Sequence, residues 1–289
     1  MTSTVSQAYA ECVDITRREA GNFYYGIRLL PARKREVLCA VYALARRIDD
    51  IGDGDLDVPD KEAGLAEVRA QVRSLAAGGD GGDPVLAAVA DAARHHPIPL
   101  EAFEEIIDGA EKDLAGKRYG TFDELVLYCR DVAGSVGRLC LGVFGSRDPE
   151  RAPRYADALG IGLQQTNILR DIREDLLNGR VYLPQEDLDR FGVELRVDSA
   201  GALADPDGGL AALVRHGVER SRSWYDQGDR LTPLLDRRSA ACTTAMAGIY
   251  RELGEQIAAQ PQLVYTQRLS LSGRQKATVA VRSLIGRSS

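Results

Sequence analysis

Apolar residues recur at three- and four-residue intervals along almost the whole chain, the period of amphipathic helices, while alternating runs are too short and too few to build a sheet. The pattern predicts helices at 5–20, 31–53, 61–77, 84–94, 99–114, 121–144, 150–177, 184–190, 209–228, 231–236, 239–259 and 274–285. Breakers separate them: Pro59, the loop Gly78-Gly-Asp-Gly-Gly82, Pro97 and Pro99, the turn from Gly145 to Pro149, Asn178-Gly179, and Asp205-Pro-Asp-Gly-Gly209. Each break is short and runs straight into another amphipathic segment, so none reads as an interdomain linker. The expectation is one all-α domain over residues 1–289, with its central helices lining the middle.

Two of those helices carry a feature that helix stability does not favour. Asp49 and Asp53 close the helix predicted at 31–53, and Asp171 and Asp175 lie near the end of the one at 150–177. Like charges four apart repel by roughly 0.2–0.5 kcal/mol, and Asp is a poor helix former. At about 100° per residue, Val37, Leu38, Leu44, Ala45 and Ile48 fall within about 60° of Val41. Tyr42, Arg46, Asp49 and Asp53 cluster on one flank of that stripe, and Asp50 falls opposite it, toward solvent or an arginine partner. In the second helix Gln164, Asp171 and Asp175 lie within about 60° of Ile168, and Asn167 near 100° on the same side. Arg170 and Arg173 point roughly the other way, although an extended Arg170 can reach back to a cavity. Ionised carboxylates at such angles are costly unless paired or bound to a cation. A salt-bridged helix surface accounts for one isolated pair, since Arg46, Arg47, Arg170 and Arg173 are close by. Two inward-leaning pairs far apart in the chain favour a shared cation. Hard carboxylate oxygens suit Mg²⁺, which keeps waters and bridges to substrate phosphates.

Charge and cysteine usage narrow the alternatives. A net charge of −6 argues against a nucleic-acid partner. After Glu255 there is no acidic residue, while Arg268, Arg274, Lys276, Arg282 and Arg287 are basic; a solvated end and contact with an anionic ligand or membrane surface both fit. The five cysteines form no CxxC and the three histidines no ligand-spaced set, which points to a reduced cytoplasmic protein without a zinc or redox site. The first residues lack a signal-sequence pattern and no apolar run is long enough to span a bilayer, so membrane contact is expected only at the periphery of the inner face. Gly160-Ile-Gly162 lacks the third glycine, the strand and the helix start of a dinucleotide fingerprint.

From about Asn22 to Lys276 the chain resembles the squalene/phytoene synthase family of head-to-head prenyl transferases. Three segments carry the likeness. Tyr42-Ala-Leu-Ala-Arg-Arg-Ile-Asp-Asp-Ile-Gly-Asp53 is similar to the family's first aspartate-rich motif, and Tyr128-Cys-Arg-Asp-Val-Ala-Gly-Ser-Val-Gly137 to its central helix. Gln164-Gln-Thr-Asn-Ile-Leu-Arg-Asp-Ile-Arg-Glu-Asp175, followed by Asn178-Gly-Arg-Val-Tyr-Leu-Pro184, is similar to the second motif and its exit. The stretch Asn22-Phe-Tyr-Tyr-Gly-Ile-Arg-Leu-Leu-Pro31 resembles the bacterial hopanoid-pathway branch.

The resemblance implies an isoprenoid-synthase-type helical bundle around a central cavity. It implies that Asp49, Asp53, Asp171 and Asp175, with Asn167, hold Mg²⁺, and that Gln164, Asn167, Arg46, Arg170, Arg268 and Lys276 contact diphosphate. Tyr42, Tyr128 and Tyr250, with Arg46, would stand near the reacting centre, where an aromatic face stabilises a carbocation. Ala133, Gly134 and Gly137 either leave room for isoprenoid chains or permit close helix packing. The expected reaction joins two farnesyl diphosphates into presqualene diphosphate without NADPH, ahead of other isoprenoid-pathway enzymes. Phytoene, dehydrosqualene and squalene synthases are the enzymatic alternatives. A non-catalytic assembly protein is disfavoured because all four aspartates are kept.

Overall fold

The computed structural model describes residues 3–79 and 82–285, so Arg287 of the basic tail and Asp80 and Gly81 of the glycine-rich loop lie outside the described residues. The first helices are α1 (Ser3–Glu19), α2 (Gly21–Ile27), α3 (Ala32–Asp53), α4 (Val58–Ala76), α5 (Pro84–His95), α6 (Glu101–Leu114) and α7 (Phe122–Cys129). A π-helical turn, Arg130–Gly134, leads into α8 (Ser135–Phe144), which is followed by α9 (Ala152–Leu177), α10 (Gln185–Phe191) and α11 (Gly209–Gly228). A 3-10 segment, Asp229–Leu234, precedes α12 (Arg237–Ala259), α13 (Leu263–Thr266) and α14 (Gly273–Ile285). The described residues contain no strand, only an isolated bridge between Val197 and Leu203. The fold is all-α.

Several helix starts have a chemical cause. Asp57 caps α4 by accepting from the Asp60 amide, Asp83 caps α5 through the Val85 and Leu86 amides, and Asp236 caps α12 through those of Arg238 and Ser239. Three expectations need correction. The helix predicted over 121–144 is interrupted by the π turn, the one predicted at 231–236 is the 3-10 segment, and two short helices, α2 and α13, lie in stretches read as connections. Neither short helix has a side-chain cap, and each is too short to develop a recognisable apolar stripe.

The core forms around a central space. One apolar cluster joins α1, α3, α5, α6 and α8 through residues such as Leu44, Ile48, Phe103 and Leu139. A second joins α7, α9, α11 and α12 through Ile168, Leu210, Val214 and Leu253. Helix α9 contacts α7, α8, α11, α12, α13 and the π turn, so nearly every face of it meets protein. Close approach requires glycine here: a Cβ on Gly160 would stand 2.2 Å from the Ala133 carbonyl oxygen, and one on Gly137 would stand 2.4 Å from that of Ala156.

Candidate active site

Between the two clusters lies a cavity of about 430 Å³. Its walls are α3, α6, the segment from α7 through α8, and α9, with further contributions from α2, α12, the 3-10 segment, Arg180, Tyr182 and Arg268. Helix α3 contributes from Leu38 to Asp53, which at a rise of 1.5 Å per residue is a wall of about 22 Å. Along it the chemistry changes from apolar, with Leu38, Val41, Cys140, Phe144 and Met246, to a charged end with Asp49, Asp53, Asp171 and Asp175. This follows from the order of the sequence: α3 and α9 both run apolar first and acidic last.

The two aspartate pairs line one cavity and are built alike. In each, one carboxylate has arginine partners: Arg180 Nη1 donates to Asp53 Oδ1 at 2.8 Å, and Arg268 Nε and Arg170 Nε donate to Asp171 Oδ1 at 3.0 and 2.7 Å. Among the described residues no arginine or lysine forms an ion pair with the other member, Asp49 or Asp175. Asp49 is open to the cavity space, although the walls around it displace bulk water. Desolvation between those walls and the charge of Asp53 push its pKa up to about 7. Desolvation and Asp171 do the same for Asp175, also to about 7.

The donor set fits a hard divalent cation. Four carboxylates and the amide oxygen of Asn167, which is buried without a hydrogen-bond partner, face the same charged end of the cavity. Among the described residues no three acidic, histidine or cysteine side chains converge into a ready-made ligand cage.

The predicted site residues are mostly brought together. Tyr42, Arg46, Asp49, Asp53, Tyr128, Gln164, Asn167, Arg170, Asp171, Asp175 and Arg268 all line the cavity. Asp50 stays outside, ion-paired with Arg46 at 2.6 Å, and Arg47 turns to Asp83 at 2.8 Å. Tyr250 and Lys276 do not line the cavity: the Tyr250 ring is buried and stacked on Phe23 at 5.6 Å, and Lys276 Nζ reaches Ser270 Oγ at 3.3 Å. Arg170, which the wheel sets on the far side of α9 with reach to the cavity when extended, does line it and is buried in the wall with only 6 % of its surface exposed. Its burial follows because α9 is surrounded, so the side opposite one apolar stripe is also interior. Gly134 and Gly137 have a packing reason, since a Cβ on Gly134 would meet Asp157 Oδ1 at 2.9 Å.

Three charged or phenolic lining residues are not among those the sequence points to: Asp113, Arg180 and Tyr182. Arg180 and Tyr182 sit in the segment after the second aspartate pair. Asp113 has a plain signal, because Ile106, Ala110 and Asp113 continue one helical stripe and place a carboxylate where an apolar residue is due.

The sequence pattern of the squalene/phytoene synthase family matches residues 16–275. The phytoene synthase of Mycobacterium bovis is 55% identical over 280 residues, which cover 97% of this chain and 91% of that protein. Among solved structures, a dehydrosqualene synthase superposes with a TM-score of 0.85 at 29% identity, covering 96% of each chain. The squalene synthase HpnC from Alicyclobacillus acidocaldarius superposes at 0.78 and 29% identity, over 90% of this chain and 96% of that one. The chain therefore belongs to the squalene/phytoene synthase family, whose enzymes condense prenyl diphosphates head to head with a divalent metal, usually Mg²⁺. Among the described residues no helix is long and apolar enough to cross a membrane.

Proposed function

We propose that this chain is a single-domain, Mg²⁺-dependent prenyl transferase that joins two geranylgeranyl diphosphates head to head into phytoene. The observation that carries the reaction class is the polarity of the cavity, with two carboxylate pairs at one end of a long apolar wall. The C20 substrate is supported by the 55% identity to a phytoene synthase over nearly the whole chain, and a wall of about 22 Å suits a long chain.

Asp49, Asp53, Asp171, Asp175 and Asn167 would hold the metal, which neutralises diphosphate and makes it a better leaving group. Arg46, Arg170, Arg180 and Arg268 orient the phosphate oxygens by charge-assisted hydrogen bonds, and Gln164 adds a neutral contact. Apolar residues from Leu38 to Phe144 exclude water from the chains. The rings of Tyr42 and Tyr128 face the region where positive carbon develops. Tyr250, stacked on Phe23, acts through its contact with Arg170, and Lys276 adds positive charge near Arg170 rather than touching substrate.

A second reading, condensation of two farnesyl diphosphates to presqualene diphosphate, is favoured by the Asn22–Pro31 likeness to hopanoid-branch enzymes and by the HpnC neighbour. Purified protein with Mg²⁺ and either farnesyl or geranylgeranyl diphosphate, with and without NADPH, separates the two by mass spectrometry of the products. Phytoene from the C20 substrate, unaffected by NADPH, is the expected result. Preferential turnover of farnesyl diphosphate to presqualene diphosphate would replace it with the second reading, and squalene appearing only with NADPH would refute both.

A further inference from the structure

Asp113, near the end of α6, is a carboxylate on the cavity wall that belongs to neither aspartate pair. Each of its oxygens is taken by a phenol: Tyr128 Oη donates to Oδ2 at 2.8 Å, and Tyr182 Oη to Oδ1 at 2.9 Å. The two buried rings stack with centroids 5.2 Å apart, and Tyr119 packs against them at 5.3 and 6.4 Å. Tyr128 and Tyr182 line the cavity themselves. Among the described residues no arginine or lysine forms an ion pair with Asp113. Arg180, the cation acting on it, is already bonded to Asp53. A half-buried carboxylate held only by neutral donors is costly to keep, and an apolar residue would continue the Ile106–Ala110 stripe at less cost.

We propose that Asp113 is a positioning residue for the carbocation: it fixes the Tyr128 and Tyr182 rings against the cavity and, through their hydroxyls, sets negative charge facing the reacting carbon. The inference rests on the prenyl-condensing reading. Ionisation of the allylic C–O bond sends its electron pair away with the diphosphate and leaves a positive carbon in an apolar space. A phenol that donates to a carboxylate becomes richer in electrons, so its ring face attracts a cation more strongly. Because both oxygens of Asp113 are engaged by phenols, the residue is suited to this task rather than to direct coordination of a metal.

The test compares the wild-type protein with Asp113→Asn, Asp113→Glu, Tyr182→Phe and the Asp113→Asn/Tyr182→Phe double variant, using the prenyl diphosphate that the wild type consumes. For Asp113→Asn, kcat is expected to fall at least about tenfold with KM within about twofold. More of the product should leave early, as cyclopropylcarbinyl diphosphate or as alcohols quenched by water. Asp113→Glu should recover part of kcat and of the product ratio, and the double variant should lose less than the sum of its single losses. Tyr182→Phe, which keeps the carboxylate, should shift the products in the same direction to a smaller extent, and it decides the matter should Asp113→Asn fail to fold. Wild-type kcat and products in Asp113→Asn, or in Tyr182→Phe where that variant decides, would overturn the proposal. So would a raised Mg²⁺ requirement with an unchanged product ratio, which would make Asp113 a metal ligand, or equal losses in the Asn and Glu variants that track their melting temperatures. A wild type that consumes no prenyl diphosphate would overturn the proposed function, and is recognised before any variant is made.

Discussion

Arg180 on Asp53 and Arg268 with Arg170 on Asp171 divide each aspartate pair into a paired and an unpaired carboxylate. The unpaired members, Asp49 and Asp175, have no ion-paired cation, which makes them the residues where removing charge costs the fold least. Asparagine keeps their shape and one oxygen but lowers both the charge and the strength of a ligand. With Mg²⁺ saturating, Asp49→Asn, Asp53→Asn, Asp171→Asn and Asp175→Asn are each expected to lower turnover by about 100-fold or more, the scale on which losing one transition-state electrostatic contact is felt. Circular dichroism should report the same helix content for all four. Asp50→Asn should stay within a few-fold of wild type, because Asp50 faces away from the cavity and pairs with Arg46 on the outside. Near-normal turnover in the Asp171 or Asp175 variant would remove the metal site from the scheme.

At the level of elements, the position of the cavity depends on how closely α9 approaches the π turn. Gly160 is where they touch, and the atoms a new Cβ would meet are backbone, Ala133 O at 2.2 Å and Ala133 C at 2.5 Å, which have no rotamer to escape into. Gly160→Ala should therefore destabilise the protein by about 3 kcal/mol despite the better helix propensity of alanine. Gly254→Ala on α12, whose nearest neighbour would be Val218 Cγ1 at 3.8 Å, should be neutral or stabilising by up to about 1 kcal/mol. Urea unfolding of the two variants makes the comparison, and similar stabilities would mean that the π turn yields readily. The same elements explain what was legible in the sequence. Helix α3 has one apolar stripe and one charged flank, so the angles of Asp49, Asp53 and Asp50 could be read directly. Helix α9 is enclosed on most sides, so its wheel has no true outside, and Arg170 reaches the cavity from the side opposite the apolar stripe, as an extended side chain there can. The π turn leaves no periodic trace of its own, since it adds one residue to a turn within a continuous apolar segment. Asp113 was legible as a break in the stripe of α6, but its meaning depends on Tyr128 and Tyr182, which only the tertiary fold brings to it.

For the whole molecule, the charged end of the cavity sets how stability depends on pH and ligands. Asp49 and Asp175 have folded-state pKa values near 7 against an ordinary 3.8, so the folded protein holds their protons over a range where the unfolded chain has released them. Their contribution is most favourable below about pH 4 and is lost as the pH rises through about 7. Carboxylates held low by partners, such as Asp83 by Arg47 and Asp91 by Arg33 and Tyr9, act in the opposite sense, but below about pH 4. Between those limits the metal-free protein is expected to lose melting temperature as pH rises, and the Asp49→Asn/Asp175→Asn double variant should show a flatter profile. Cations that bind the ionised carboxylates reverse the effect, because ligand that binds only the folded state stabilises it. Each cation also binds better when phosphate oxygens complete its shell, so Mg²⁺ and inorganic diphosphate at pH 8 should raise the melting temperature together by more than the sum of their separate effects. Melts at pH 5 and pH 8 with neither, either and both ligands measure this coupling. Because Asp49 and Asp175 are largely protonated at pH 5, the synergy should shrink there. Strict additivity at pH 8 would mean that the aspartate pairs bind no cation in common with diphosphate, leaving the arginines as their only partners.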